Sequence, residues 1–178
     1  MKLVSFDVWG TLLESNPKFK RHQSHLAHQM SGIEPEEFLK KKDEIKKEFD
    51  SLVESTGVQP DRFEAYRKIF PNLSIKEINS FIYYSDKLFL KYPPKKIKGV
   101  TKLMRDYVFE GYIPVISSNT VFIHGEILGK IIWKYFHIPM CQCNFSDIIK
   151  VSKPHPHMFH FKTKPTMHLG DNPITDGA

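Results

Sequence analysis

The stretch Phe6-Asp7-Val8-Trp9-Gly10-Thr11-Leu12 follows a short apolar run, Leu3-Val4-Ser5, behind Met1-Lys2. The run is rich in strand-forming residues and predicts a β-strand over residues 2–6. The carboxylate of Asp7 then stands at the strand's carboxyl end, and Gly10-Thr11 gives the chain a place to turn. In open parallel sheets, sites form in the crevice outside the carboxyl ends of the strands. An acid at that position is therefore a candidate for chemistry.

Three more strand ends or nearby loops carry reactive side chains. Residues 112–116 read as a buried strand, and Ser117, Ser118 and Asn119 follow it. Lys153 stands in a loop just before Pro154. A last strand over residues 166–169 precedes Asp171 and Asp176. Helices are predicted over 100–109, stopped by Gly111, and over 123–136, with a short strand near 140–143. Strands that alternate with helices imply a parallel α/β sheet. A single polar residue at a strand end is ordinarily a turn or a helix cap. Four such occurrences, each of a type suited to phosphate or metal chemistry, make a shared site the better reading.

Between Pro17 and about residue 92 the rhythm changes. Leu26, Met30, Ile33, Phe38, Ile45, Phe49, Leu52 and Val53 recur at helical spacing among charges. Asp61 is placed to cap a helix holding Phe63, Tyr66 and Ile69, and Ser74 to cap another with Glu77 as its capping-box partner. Pro93-Pro94 closes this block. The expected organisation is an α/β core over 1–14 and 94–178 with a helical insertion over 15–93. Lys40-Lys41-Lys42 and Lys46-Lys47 alternate with Asp43, Glu44 and Glu48 and read as the wet face of a helix. His22, His25 and His28 read as a partly exposed polar face. His155, His157 and His160 lie close to Lys153, where one of them is a candidate proton donor.

The chain has 178 residues, 40% hydrophobic and 26% charged, which suits a soluble domain with a modest insertion. No run approaches the roughly 20 apolar residues of a membrane span, and the N-terminus is not a signal peptide, because its apolar run is short and an acid interrupts it. Cys141 and Cys143 give no disulfide framework. On strand spacing they share a face, and two buried, reduced cysteines are expected, with the cytoplasm as the compartment. The net charge of +6 raises nucleic acid as a partner. Helical alternation of the lysines with acids favours a solvated face over a nucleic-acid groove, and the field suits an anionic, phosphorylated substrate.

Taken in order, the four segments resemble the motifs of the haloacid dehalogenase (HAD) superfamily. They are Phe6-Asp7-Val8-Trp9-Gly10-Thr11-Leu12, Val115-Ile116-Ser117-Ser118-Asn119-Thr120, Val151-Ser152-Lys153-Pro154-His155-Pro156 and Leu169-Gly170-Asp171-Asn172-Pro173-Ile174-Thr175-Asp176. The resemblance implies an HAD-like Rossmannoid parallel sheet with an inserted α-helical cap of the C1 type. It implies a hydrolase acting on a small phosphorylated substrate, with Asp7 as the nucleophile that forms an aspartyl-phosphate. Mg²⁺ is the implied cofactor, held by Asp7, the Trp9 backbone carbonyl and Asp171, with Asp176 as a further acidic partner. Ser118 would bond a phosphoryl oxygen and Lys153 would neutralise charge. Trp9, Gly10, Thr11 and Asn119 would line the substrate.

The sequence departs from the family pattern at Trp9. HAD phosphatases place a second aspartate there as general acid and base, and indole cannot transfer that proton. The missing catalysis is worth about 10²–10⁴-fold, so slow turnover is expected. Haloacid dehalogenases of the superfamily carry an aromatic residue at this place, which makes carbon–halogen hydrolysis the alternative. Against it, no arginine lies between Arg21 and Arg62 to hold halide, and Gly170-Asp171 is the metal-binding form. A binding module that has lost turnover is the third reading. Phosphonatase relatives use a cap lysine, and no cap lysine is singled out by sequence. The stretch from Lys153 to Gly170 is short, so a brief helix is expected there. The family's further helix and strand would follow Asp176, where this sequence has Gly177 and Ala178.

Overall fold

A computed structural model describes residues 2–176. Strand β1 (Lys2–Phe6) is followed by a short strand, β2 (Leu13–Glu14), and four helices: α1 (Pro17–Ser31), α2 (Pro35–Thr56), α3 (Arg62–Ile69) and α4 (Ile75–Lys91). Then come β3 (Lys95–Lys96), α5 (Val100–Phe109), β4 (Tyr112–Ser118), α6 (Gly125–Phe136), β5 (Cys143–Phe145) and α7 (Ser146–Ile149). A 3-10 turn (Pro156–Phe159), β6 (Met167–Leu169) and α8 (Pro173–Asp176) complete the described chain.

Four strands form a parallel sheet in the order β5-β4-β1-β6. The inner strands β1 and β4 carry almost unbroken apolar runs, as strands covered on both faces do. Phe6 pairs with both Ile116 and Leu169, and Ser118 pairs with Phe145. That register brings Asp7, Ser118 and Gly170 to one edge of the sheet. Val4, Phe6, Val8, Ile116, Leu128, Ile132 and Phe145 form the core beneath that edge.

The helices α1 to α4 carry a second cluster, with Phe38, Tyr66, Ile69 and Phe81 at its centre. Local signals set their ends as the sequence predicts: Asp61 accepts from the Glu64 amide, and Ser74 and Glu77 form the capping box. The antiparallel pair β2–β3, Leu13 with Lys96 and Glu14 with Lys95, ties the chain entering the block to the chain leaving it.

Some boundaries differ from expectation. Strand β4 runs on through Ser117 and Ser118, because β5 offers Asn144 and Phe145 as partners. The expected strand over 140–143 begins only at Cys143. The Pro139 carbonyl accepts from the Gln142 amide and turns residues 140–142 into a 3-10 turn (2.9 Å). Cys141 is consequently exposed and Cys143 buried, so the two do not share a buried face. Between Lys153 and Gly170 the expected brief helix is only the 3-10 turn. Among the described residues no helix is long and apolar enough to cross a membrane.

Candidate active site

The Asp7 amide donates to the Leu169 carbonyl (2.8 Å), which continues the β1–β6 pairing by one bond and fixes where the carboxylate stands. Lys153 reaches it from the loop after α7. Asn119 holds that loop at both backbone groups of Lys153: its Oδ1 accepts from the amide (2.7 Å), and its Nδ2 donates to the carbonyl (3.4 Å). The Lys153 side chain is 2% exposed, and its ammonium donates to Asp7 Oδ1 (2.7 Å) and to Asp176 Oδ1. A buried ammonium is tolerable because two carboxylates meet it.

Asp7, Asp171 and Asp176 each offer a carboxylate oxygen, and these oxygens all lie within 4.8 Å of one another. Asp7 is buried, Asp176 half-buried and Asp171 exposed, so the cluster opens on the Asp171 side. Three hard oxygen donors at this spacing fit Mg²⁺, with room on the open side for retained water. The turn that admits Asp171 depends on Gly10. Its φ is +76°, and a Cβ there would fall 2.0 Å from Asp171 Oδ2.

Electrostatics separate the acids. Burial raises the pKa of Asp7 and outweighs the attraction and hydrogen bond of Lys153. Burial also works against the Asp176 charge, but bonds from His168, Lys153 and the Asn172 amide bring its pKa down to about 2. His168 Nε2 lies 3.0 Å from Asp176 Oδ1. The carboxylate can only accept, so Nε2 donates to it, while Nδ1 lies 2.9 Å from Ser5 Oγ.

Two hydroxyls at this edge are buried and have no partner among the described residues: Ser118 Oγ and Thr11 Oγ1. Buried polar atoms are nearly always satisfied, so two orphans beside one acid cluster require explanation. Trp9 is half-buried, and its ring packs edge-on against Phe89 (6.3 Å between centroids).

Of the residues singled out by sequence, Asp7, Lys153, Asp171 and Asp176 converge directly, and Asn119 positions Lys153. His155, His157 and His160 do not join them. His155 caps the 3-10 turn, and the other two are exposed. The histidine at the cluster is His168, whose signal was Ser5, a polar residue in an otherwise apolar strand that pairs with it.

Lys42 was also missed. It reads as part of a wet lysine run, yet α2 buries Phe38, Ile45, Phe49 and Val53, and Lys42 occupies the vacant place on that stripe between Phe38 and Ile45. The lysine run is therefore not wholly a solvated face: Lys42 is half-buried, its Nζ donating to Gln23 Oε1 (2.6 Å).

No family sequence model matches the chain, and no curated protein matches it in sequence. Solved structures do match. A predicted phosphoglycolate phosphatase from Haemophilus somnus 129PT superposes with a TM-score of 0.67 at 15% identity, covering 98% of this chain and 79% of its own. The HAD-hydrolase YfnB of Bacillus subtilis, bound to magnesium, gives 0.64 at 14% identity, over 98% of this chain and 82% of its own. A 2-haloacid dehalogenase from Pseudomonas syringae gives 0.56 at 15% identity, over 99% of this chain and 80% of its own. The chain has the fold of the HAD-like hydrolases, a Rossmannoid parallel sheet with a helical cap.

Proposed function

We propose that this chain is a Mg²⁺-dependent phosphatase of small phosphorylated metabolites that works through an aspartyl-phosphate on Asp7. The observation that carries the reading is Asp7 held against Lys153 within a three-acid cluster. The unpartnered hydroxyls of Ser118 and Thr11 add to it, because a phosphoryl group supplies the acceptors they lack.

Asp7, Asp171 and the Trp9 carbonyl would hold the cation, with Asp176 behind them. The bound ion supplies a positive charge that relieves repulsion between carboxylate and phosphate. Asp7 attacks phosphorus as the ester P–O bond breaks, and the new P–O bond gives the aspartyl-phosphate. Ser118 donates to a phosphoryl oxygen, and Lys153 faces the charge that builds there. Water then attacks phosphorus, releasing inorganic phosphate and returning the Asp7 carboxylate. Trp9 neither protonates the departing alkoxide nor activates that water, so turnover is slow and favours substrates whose leaving oxygen is already a weak base. The test is phosphate release with Mg²⁺ across a panel of phosphate esters. Asp7→Asn is expected to abolish release, and release that survives this change overturns the mechanism.

Trp9 also supports a second reading, carbon–halogen hydrolysis, in which halide departs without a proton. Halide release from 2-haloacids without added metal would favour it. If Asp7 takes up beryllofluoride while neither product appears, the chain is a binding module that has lost turnover.

A further inference from the structure

The register of the sheet puts one polar residue of every strand on the same face: Ser5 of β1, Ser117 of β4, Asn144 of β5 and His168 of β6. The 3-10 turn after Lys153 covers this row. Its Met158 carbonyl accepts from Ser117 Oγ (2.8 Å) and from Asn144 Nδ2 (3.1 Å), and Phe159 packs edge-on against the His168 ring (5.0 Å between centroids). The covered faces of a parallel sheet are ordinarily apolar, and polar groups there cost stability unless each finds a partner. Ser117 and Asn144 tie down the turn. His168 instead reaches out of the row to the acid cluster.

His168 Nε2 donates to Asp176 Oδ1 (3.0 Å), the same oxygen that accepts from the Lys153 ammonium. Lys153 in turn donates to Asp7 Oδ1 (2.7 Å). On the other side of the ring, Nδ1 bonds Ser5 Oγ (2.9 Å), and Ser5 stands two residues before Asp7 on β1. The bonds therefore form a loop that leaves the strand at Ser5 and returns at Asp7, through His168, Asp176 and Lys153. The His168 side chain is 9% exposed and that of Asp176 5%, so bulk water does not replace these bonds. Asp176 has little else to hold it. Its element, α8, has four residues, and among the described residues its other oxygen accepts from the Asn172 amide alone (3.1 Å). His168 makes no bond to Asp7 itself, so its influence on that carboxylate passes through Asp176 and Lys153.

We propose that His168 is a positioning residue of this site: its bond to Asp176 fixes the carboxylate that anchors Lys153, and so sets how the ammonium is shared between Asp176 and Asp7. The proposal rests on the reading of Asp7 as the nucleophile. Without the His168 donor, Asp176 turns about its own side-chain torsions and Lys153 closes on Asp7 as a simple ion pair. A nucleophile held in that pair attacks less readily, and the lysine no longer faces the phosphoryl oxygens. The bond-making step slows while the contacts to substrate remain, so the loss falls on kcat rather than on KM.

The test compares the full chain with three variants: His168→Gln, which keeps a donor for Asp176, His168→Met, which fills a similar volume without one, and Ser5→Ala. The first readout needs no turnover. It is the hydrogen exchange of the Lys153 ammonium, followed by NMR of isotope-labelled protein and assigned by its loss in Lys153→Met. His168→Met is expected to speed that exchange about tenfold or more, Ser5→Ala to speed it by a smaller factor, and His168→Gln to keep it within about threefold of wild type. In an Asp176→Asn background, His168→Met should change the exchange less than about twofold, because the group through which it acts is gone. The second readout is phosphate release with Mg²⁺: His168→Met should lower kcat about tenfold or more with KM within about threefold, and His168→Gln should keep most of kcat. An ammonium that exchanges as fast as surface lysines in wild type, exchange unchanged in His168→Met, or an effect undiminished in the Asp176→Asn background overturns the proposal. So does a kcat that is unaffected in a variant whose exchange has changed. If His168→Met does not fold, Ser5→Ala decides in its place. If wild type releases no phosphate while the exchange responds as expected, the phosphatase reading falls and the hold of His168 on Lys153 stands.

Discussion

The Ser118 hydroxyl is buried at the end of β4 with nothing to bond. Replacing it by hydrogen removes an unsatisfied polar atom, so Ser118→Ala should leave stability unchanged or raise it by up to about 1 kcal/mol. The same change should lower kcat/KM by about 10²–10³-fold, the usual effect of removing a hydrogen-bond donor from a developing anion. Thermal unfolding and phosphate release, measured on one preparation, check both. A fall in stability with activity intact would assign Ser118 to the scaffold instead. At this scale the residues that the sequence singled out and the fold brings together lie in contiguous segments. Asp7 follows β1, Lys153 stands in the loop after α7, and Asp171 and Asp176 come after β6, so chain order announces them. His168 and Lys42 were not legible in the same way. His168 matters because Ser5 and Asp176 stand on either side of it, and neither is its neighbour in sequence. Lys42 was hidden by a charge run whose other members are solvated, although its place on the apolar stripe was available to a count of spacing.

Among the elements, α6 depends on a neighbour. Asp147, at the start of α7, accepts from the Gly125 amide (2.9 Å) and from the Thr120 hydroxyl (2.5 Å). A Cβ at Gly125 would lie 2.5 Å from Phe145 Cβ, so this close approach requires glycine. Asp147→Ala leaves a helix-start amide and a hydroxyl without their acceptor and should cost about 1–2 kcal/mol. For a chain of this size that is a fall in melting temperature of about 2–4 °C per kcal/mol. An unchanged melting temperature would mean that water replaces the carboxylate at no cost. Caps supplied within a few residues, at Asp61 and Ser74, could be read from the sequence. The support that Asp147 gives the start of α6 could not, since that acid lies 22 positions onward. The shift of β5 to Cys143 has a similar origin, because Pro139 turns the chain before the strand can begin.

For the molecule as a whole, the alternation of strands and helices was enough to give the parallel core and the helical block. The seam between their clusters, where the Lys42 ammonium sits over the Phe19 and Phe122 rings, was not legible, because these residues come from three distant segments. That seam should govern how stability depends on pH. Lys42 has a folded pKa of about 7 against an ordinary value of 10.5, because burial and nearby cations disfavour its charge. The unfolded chain therefore binds more protons across that interval, and this contribution makes stability rise with pH between about 7 and 10.5. Lys42→Met should stabilise the ligand-free chain at pH 6 by about 1–2 kcal/mol. This figure is well below the nominal penalty, since water still reaches a half-buried side chain. The advantage should fade by pH 10, which denaturant titration at the two pH values would reveal. Equal stability of variant and wild type at pH 6 would show that Gln23 and the aromatic rings already compensate the charge.

The β2–β3 pair has a consequence for how such a protein changes over evolutionary time. Because Leu13–Glu14 and Lys95–Lys96 lie side by side, everything between them departs from and returns to nearly one point on the sheet. A different set of helices could be grafted between the same two anchor pairs without rethreading a strand, provided that it remade the bonds by which Gly57 and Gln59 hold Ser152, next to Lys153. The helical block and the sheet can then diversify as separate cassettes, one exchanged while the other is kept.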